Sequence, residues 1–230
     1  MRKLRLLIPT SLNRAWITFI RGKNSCATRT TQPQLIMSFA LYSEFILTLG
    51  HSLTVESFLR AAHRKRHFTV IVAETAPSFS GRSLAASLSA SGIPTILIPD
   101  SNVFSLLPRC SKVLLGPHLV SADGALLSIA GSLPMCLAAR RLGVPVAVVS
   151  GMYKFGREYF AGEEWGMRDL GSPEEVLRPG EVEEGEETEV LNPYYDVVPA
   201  ELVSLYITNL YVAAAILIVA RCVVLTLVRI

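Results

Sequence analysis

Residues 68–100, FTVIVAETAPSFSGRSLAASLSASGIPTILIPD, constrain the fold more than any other stretch. An apolar run leads into a polar elbow, then a small-residue segment, then a second apolar run. Unbroken apolar runs of this length suit strands buried on both faces. Between them, Leu84 and Leu88 stand at i, i+4 and Ala85 widens the stripe, which predicts a helix that Gly92 ends.

The unit repeats along the chain. EFILTLG reads as a strand, Gly50-His51 as a turn, and the following segment as a helix with Val55, Phe58, Leu59 and Ala62 on its apolar stripe. After the strand IPTILIPD, Asp100 or Ser101 is expected to cap a short helix that buries Val103, Phe104 and Leu107. SKVLLGP is a third strand of the middle region, and Asp123-Gly124 marks a turn. SLPMCLAARRLG predicts a helix with Ser132 as its N-cap, Pro134 in its first turn, and Arg140 and Arg141 suited to its C-terminal dipole. VPVAVVSG is the next strand. Strands alternating with short helices imply parallel βαβ units with right-handed crossovers. The expected fold class is therefore α/β, a parallel sheet with flanking helices.

Charge divides the chain. Residues 1–66 carry eleven Lys and Arg against only Glu44 and Glu56, whereas residues 163–189 carry eleven of the nineteen acids. The net charge of +3 is too small to argue for direct nucleic-acid binding. Residues 161–190, acidic and rich in Gly and Pro, read as a solvated loop inserted in a domain of residues 37–210. Order resumes in NPYYDVVPAELVSLYITNL, where Pro199 opens a turn and VSLYITN is a last strand.

Both ends depart from this pattern. Residues 1–43 lack acids and are rich in Arg, Ser and Thr, a composition shared with organelle transit peptides. Residues 1–36 are expected as a basic segment, disordered or a remnant. Residues 211–230 form an apolar tail long enough to span a bilayer, interrupted by Arg221 at its middle. A membrane role is the weaker reading of that tail. The four cysteines, at 26, 110, 136 and 222, form no CxxC pair and have no His at ligand spacing. Buried, reduced thiols in a cytosolic protein are expected, with no metal and no disulfide framework.

Three elbows fall at carboxyl ends of strands, where open sheets bind ligands. They are Gly50-His51-Ser52, Glu74-Thr75-Ala76-Pro77 with Gly81, and Gly116-Pro117-His118 with Asp123-Gly124. A sugar-phosphate enzyme would use His51 or His118 with Glu74 or Asp123 as acid and base. The structural reading gives each of these residues a turn or capping role. GxGxxG, GxxxxGK[ST] and GxSxG are absent, which argues against a dinucleotide, a P-loop nucleotide and a hydrolase elbow.

FTVIVAETAPSFSGRSLAASLSASGI, KVLLGPHLVSADGALLSIAGSLPMCLAARRLGVPVAVV and NPYYDVVPAELVSLYITN resemble the regulatory subunits of eukaryotic translation initiation factor 2B. The run Asn192-Pro193-Tyr194-Tyr195-Asp196 is most like the beta branch of that family. The resemblance, over residues 40–210, implies a Rossmann-like sheet domain that pairs with alpha- and delta-like relatives. It implies a non-catalytic role in guanine-nucleotide exchange on initiation factor 2, which the chain would meet only indirectly, in the cytosol and without a cofactor.

The same family includes isomerases of methylthioribose phosphate and ribose bisphosphate, with Glu-Thr/Ser-Arg-Pro and Gly-Ala-Asp-Arg motifs and a catalytic Cys. Here Ala76 stands in place of the Arg, Gly116-Pro117-His118-Leu119 lacks the Asp, and Gly50-His51 lacks the Cys. The resemblance thus implies a vestigial pocket at His51, Glu74, Gly81, His118 and Asp123. It implies a subunit interface at Met135, Leu142, Asn192, Tyr194, Tyr195, Asp196, Tyr206 and Asn209. Relatives place a helical domain before the sheet and a polar segment after it, so the chain is expected to be a truncated copy. The rival expectations are an isomerase with unusual residues and a tail-anchored membrane protein.

Overall fold

The computed structural model describes residues 44–157, 159–160, 169–177, 189–209 and 212–214. The N-terminal segment 1–36, most of the acidic loop and all but three residues of the 211–230 tail lie outside them. Among the described residues, no helix is long and apolar enough to cross a membrane.

The elements are β1 (Glu44–Leu49), α1 (Leu53–His63), β2 (Phe68–Ala73), α2 (Ser80–Ala90), β3 (Thr95–Ile98), α3 (Val103–Leu106), β4 (Lys112–Leu115), β5 (Leu119–Val120), β6 (Leu126–Ile129), α4 (Ser132–Arg141), β7 (Val146–Val149), β8 (Tyr195–Val198), β9 (Leu205–Ile207) and β10 (Val212–Ala214). Seven strands form one sheet in the order β10-β9-β7-β4-β1-β2-β3. Six of them run parallel, and only β10 pairs antiparallel, with β9. The parallel sheet expected from the repeating units is what forms.

The central strands β1, β2, β4 and β7 are largely apolar because the sheet is covered on both sides there, whereas the edge strand β3 leaves Ile96 and Leu97 exposed. Side chains alternate between faces, so Ile46, Val70 and Val72 meet the α1 and α2 residues Val55, Phe58, Leu59, Leu84 and Leu88. Their neighbours Leu47, Leu49 and Ile71 point the other way, onto Val103, Leu107, Met135, Cys136 and Ala139 of the α3–α4 layer. Each large side chain fully buried in this way contributes about 1.5–3 kcal/mol.

β5, β6 and β8 form a second, antiparallel sheet of three strands, which the linear pattern does not announce. The Asp123-Gly124 turn joins β5 to β6 as a hairpin, and β8, some seventy residues later, adds to its far side. Val120, Leu126 and Val198 of this sheet join the α3–α4 core. The Tyr206 hydroxyl on β9 donates to the Gly124 carbonyl, which ties the hairpin tip to the main sheet.

Three local expectations are corrected. Phe104 is 56% exposed, because α3 is a single turn whose Val103 and Leu107, at i and i+4, take the inward side. Ser132 does not cap α4; its hydroxyl donates to the Ile129 carbonyl and lies 2.9 Å from the Ser128 hydroxyl. The α4 N-terminus is instead held by Asp196 of β8, whose carboxylate accepts from the Gly131 N–H at 2.7 Å and the Leu133 N–H at 3.1 Å. Asp100 likewise serves a distant loop, accepting from the Thr75 N–H at 2.9 Å and the Ala76 N–H at 2.6 Å. Those bonds hold Thr75 at a positive φ of 63°, a conformation that costs a non-glycine residue about 1–3 kcal/mol.

Candidate functional site

The carboxyl ends of β1, β4 and β7 open into one cleft of about 360 Å³. His51, Ser52, Leu53 and Thr54 come from the loop after β1 and the start of α1, Gly116, Pro117 and His118 from the loop after β4, and Tyr153 and Lys154 from the loop after β7. Ile129, Tyr194 and Tyr195 close it from the small sheet. Two of the three expected elbows therefore meet, and a fourth joins them.

Gly116 is required where the loops converge. A Cβ there would stand 2.3 Å from the Ser52 Oγ and 2.9 Å from Val55. Ser52 caps α1 by accepting from the Val55 N–H at 3.5 Å, so the cap and the loop after β4 share one small space.

The polar side chains among the described residues of the cleft are two imidazoles, three phenols, the Ser52 and Thr54 hydroxyls and the Lys154 ammonium. The His118 ring lies 4.9 Å from the Tyr195 ring, tilted by 32°. Lys154 Nζ donates to the Pro117 carbonyl at 2.7 Å, linking the loops after β7 and β4, and burial pushes its pKa down. His51 Nε2 lies 3.4 Å from the Glu56 carboxylate. That carboxylate is already engaged by Arg60 at 2.6 Å and by the Ser87 hydroxyl at 2.5 Å, and it pins α1 to α2. Among the described residues lining the cleft there is no carboxylate. Such a lining can donate hydrogen bonds to an anionic or hydroxylated group.

The other expected pocket residues lie elsewhere. Glu74 pairs with Arg82 at 3.0 Å, and the Arg82 guanidinium stacks 3.9 Å over the Phe79 ring. Gly81 is a packing position, where a Cβ would meet the Ala73 carbonyl oxygen at 2.0 Å. Asp123 accepts from the Ala125 N–H at 3.0 Å and shapes the hairpin turn. Neither Glu74 nor Asp123 lines the cleft with His51 or His118. The carboxylate–imidazole pairs imagined from the sequence do not assemble there.

The expected interface residues divide as well. Met135 and Tyr206 are buried in the chain's own core, which removes them from any surface. Asn192 is buried too, donating to the Ser172 carbonyl at 3.1 Å and to Glu175 at 3.3 Å. Asp196 is occupied in holding α4. Tyr195 stands in the cleft wall. Leu142, Tyr194 and Asn209 remain exposed, and Asn209 accepts from the Met152 N–H at 3.0 Å. Lys154 is the charged cleft residue missed in the sequence, along with Leu53, Thr54, Ile129 and Tyr153. It stands three residues beyond Gly151, which ends a strand just as the other elbows do.

Two of the four cysteines lie among the described residues, and both are buried. Burial pushes the Cys110 thiol up to about 11. Burial, with a smaller contribution from Asp196, pushes Cys136 up to about 12. Among the described residues no three His, Cys, Asp or Glu side chains are grouped to hold a metal ion.

A model of the initiation factor 2 subunit family matches residues 29–214. The chain belongs to that family. It is 45% identical over 168 residues to translation initiation factor eIF2B subunit beta of Dictyostelium discoideum, covering 73% of this chain and 43% of that protein. Ribose 1,5-bisphosphate isomerase of Pyrococcus furiosus is 34% identical over 170 residues, 72% of this chain and 52% of the isomerase. Among solved structures, the tetrameric eIF2B-beta2-delta2 complex from C. thermophilum matches with a TM-score of 0.58 and 28% identity, over 80% of this chain and 55% of the matched one. The family member described here thus spans about half the length of the proteins it matches.

Proposed function

We propose that the chain is a non-catalytic, beta-like regulatory subunit of the guanine-nucleotide exchange factor for initiation factor 2, working in the cytosol through assembly with alpha- and delta-like subunits. The 45% identity to an eIF2B beta subunit carries this reading. The elbows agree with it: His118 and Gly50-His51, which meet in the cleft, and Ala76, which lies outside it, stand where the isomerase motifs have Asp, Cys and Arg. An alanine cannot clamp a phosphate bidentately. Surface for assembly is available around the cleft mouth, where Leu53 and Tyr153 are largely exposed and Tyr194 partly so. Large apolar and aromatic side chains grouped this way mark interaction sites.

The test is co-purification of the tagged 230-residue chain from cells. Recovery of alpha- and delta-like subunits is expected, reduced by Leu53→Glu with Tyr153→Glu. Recovery with no initiation-factor subunit refutes the proposal. His51 beside Glu56, together with the Lys154 amine, supports a second reading as a sugar-phosphate isomerase. Turnover of ribose 1,5-bisphosphate that is lost in His51→Ala would establish it in place of the first.

A further inference from the structure

The edge of the sheet opposite the cleft is built from the segments that enter the parallel strands. Arg64, Lys65 and Arg66 precede β2, Arg109 precedes β4, and Arg140 and Arg141 precede β7. Only two acids share this edge among the described residues. Glu44 lies 3.7 Å from Lys112 and Glu201 lies 3.5 Å from Arg140. Arg64, Lys65, Arg66, Arg109 and Arg141 form no ion pair among the described residues. From β2 to β7 is three strand spacings, so these charges bracket about 15 Å of edge.

The cleft edge has the opposite sign. Glu74, Asp100, Asp123, Asp169, Glu174, Glu175 and Asp196 lie there against Arg82, Lys154 and Arg157. Glu175 reaches Asn192 and the Tyr194 hydroxyl beside the cleft, which places both roots of the acidic segment at this edge. Residues 181–189, EVEEGEETE, add six acids. The molecule is therefore charged oppositely at its two ends.

We propose that the basic edge docks the acidic segment of a second copy of the chain, in head-to-tail association. Chain reach argues against the same copy. Residues 178–188 extend at most about 3.6 Å each, so a loop that leaves and returns reaches about 20 Å. β2, which Arg64, Lys65 and Arg66 precede, has six residues and is about 20 Å long, so those three lie at or beyond the limit of that reach. Acidic peptide is favoured over RNA by the surroundings. Single-stranded nucleic acid is gripped by aromatic rings interleaved with basic groups. The exposed Phe79, Phe104, Tyr153 and Tyr159 come after carboxyl ends of strands and Tyr194 lines the cleft. The rings at the basic edge among the described residues are His63 and His67, and they meet edge to face, His63 also against Phe68, so they are packed on the chain itself and are not laid out as open stacking platforms. This proposal rests on charge placement and stands apart from the subunit reading.

A labelled peptide of residues 180–189 is titrated into the full chain at about 50 mM and about 500 mM salt, beside an RNA of ten uridines. Saturable peptide binding is expected, weakened at least about tenfold by the higher salt and at least about tenfold by R64E/K65E/R66E. R109E/R141E weakens it in the same direction and keeps the test valid should the triple variant melt differently; R157E leaves it unchanged. Light scattering of the free chain is expected to show mass rising with concentration at low salt only. RNA binding as tightly as the peptide, no peptide binding, or full binding by both charge-reversed variants would overturn the proposal.

Discussion

Replacing Asp196 with alanine tests how the small sheet organises the helix beside it. Both α4 donors, the Gly131 and Leu133 N–H groups, converge on one carboxylate oxygen at 2.7 and 3.1 Å, and the helix has no side-chain cap of its own. Losing a capping oxygen costs about 0.5–2 kcal/mol. Losing negative charge at a helix N-terminus adds about 0.3–1 kcal/mol. Asp196→Ala should therefore destabilise the chain by about 2 kcal/mol. For a chain of this length each kcal/mol lowers Tm by about 2–4 °C, so the expected drop is about 4–8 °C. Asp196→Asn keeps a carbonyl oxygen where both donors meet and removes only the charge, so it should cost about 0.3–1 kcal/mol. Thermal melts by circular dichroism, with urea midpoints as a check, separate the two variants. Equal losses in Ala and Asn, or no loss in Ala, would refute the capping account.

Gly81→Ala drives a Cβ to 2.0 Å from a backbone oxygen, whereas Gly92→Ala meets nothing within 4 Å and strains only its φ of +79°. Gly81→Ala should cost about 3 kcal/mol or more and Gly92→Ala about 1–2 kcal/mol, read from urea midpoints; the reverse order would contradict the packing assigned to Gly81. Tyr206→Phe removes the bond from β9 to the hairpin tip and leaves a buried carbonyl short of a donor, for about 1–3 kcal/mol by the same measurement. Cys110 and Cys136 keep their protons to about 11 and about 12, against an ordinary 9.0 in the unfolded chain. Between those values the unfolded state releases protons that the folded state retains, so stability is full below pH about 9 and falls above it, by about 1.4 kcal/mol per pH unit per thiol. Comparing urea midpoints at pH 8 and 10 for the parent chain and Cys136→Ala should show a shallower alkaline loss in the variant.

The α/β class was legible because burial on both faces leaves its mark on the central strands of the sheet. Phe68–Ala73 and Val146–Val149 are apolar without alternation, and each following helix carries a stripe such as Val55, Phe58, Leu59 and Ala62. The elbows were legible for the same reason, since a strand that ends in Gly50, Gly116 or Gly151 announces its carboxyl end. Lys154 follows that rule and was available to it.

The antiparallel sheet was not legible. β8 meets β6 across some seventy residues, and nothing local in Tyr195–Val198 specifies that partner. The roles of acids and small polar residues were also hidden. Asp196 and Asp100 look like turn or cap residues for their own neighbours, yet each serves backbone N–H groups far along the chain.

By itself the sequence determined the parallel sheet, the order of its units and the family, because periodicity and motif order are properties of the linear chain. Only the tertiary structure decided which elbows share a cleft, which acids are spent on backbone donors, and that opposite charge gathers at opposite ends. Those outcomes depend on strand order and long-range closure, which the spacing of residues along the chain does not encode.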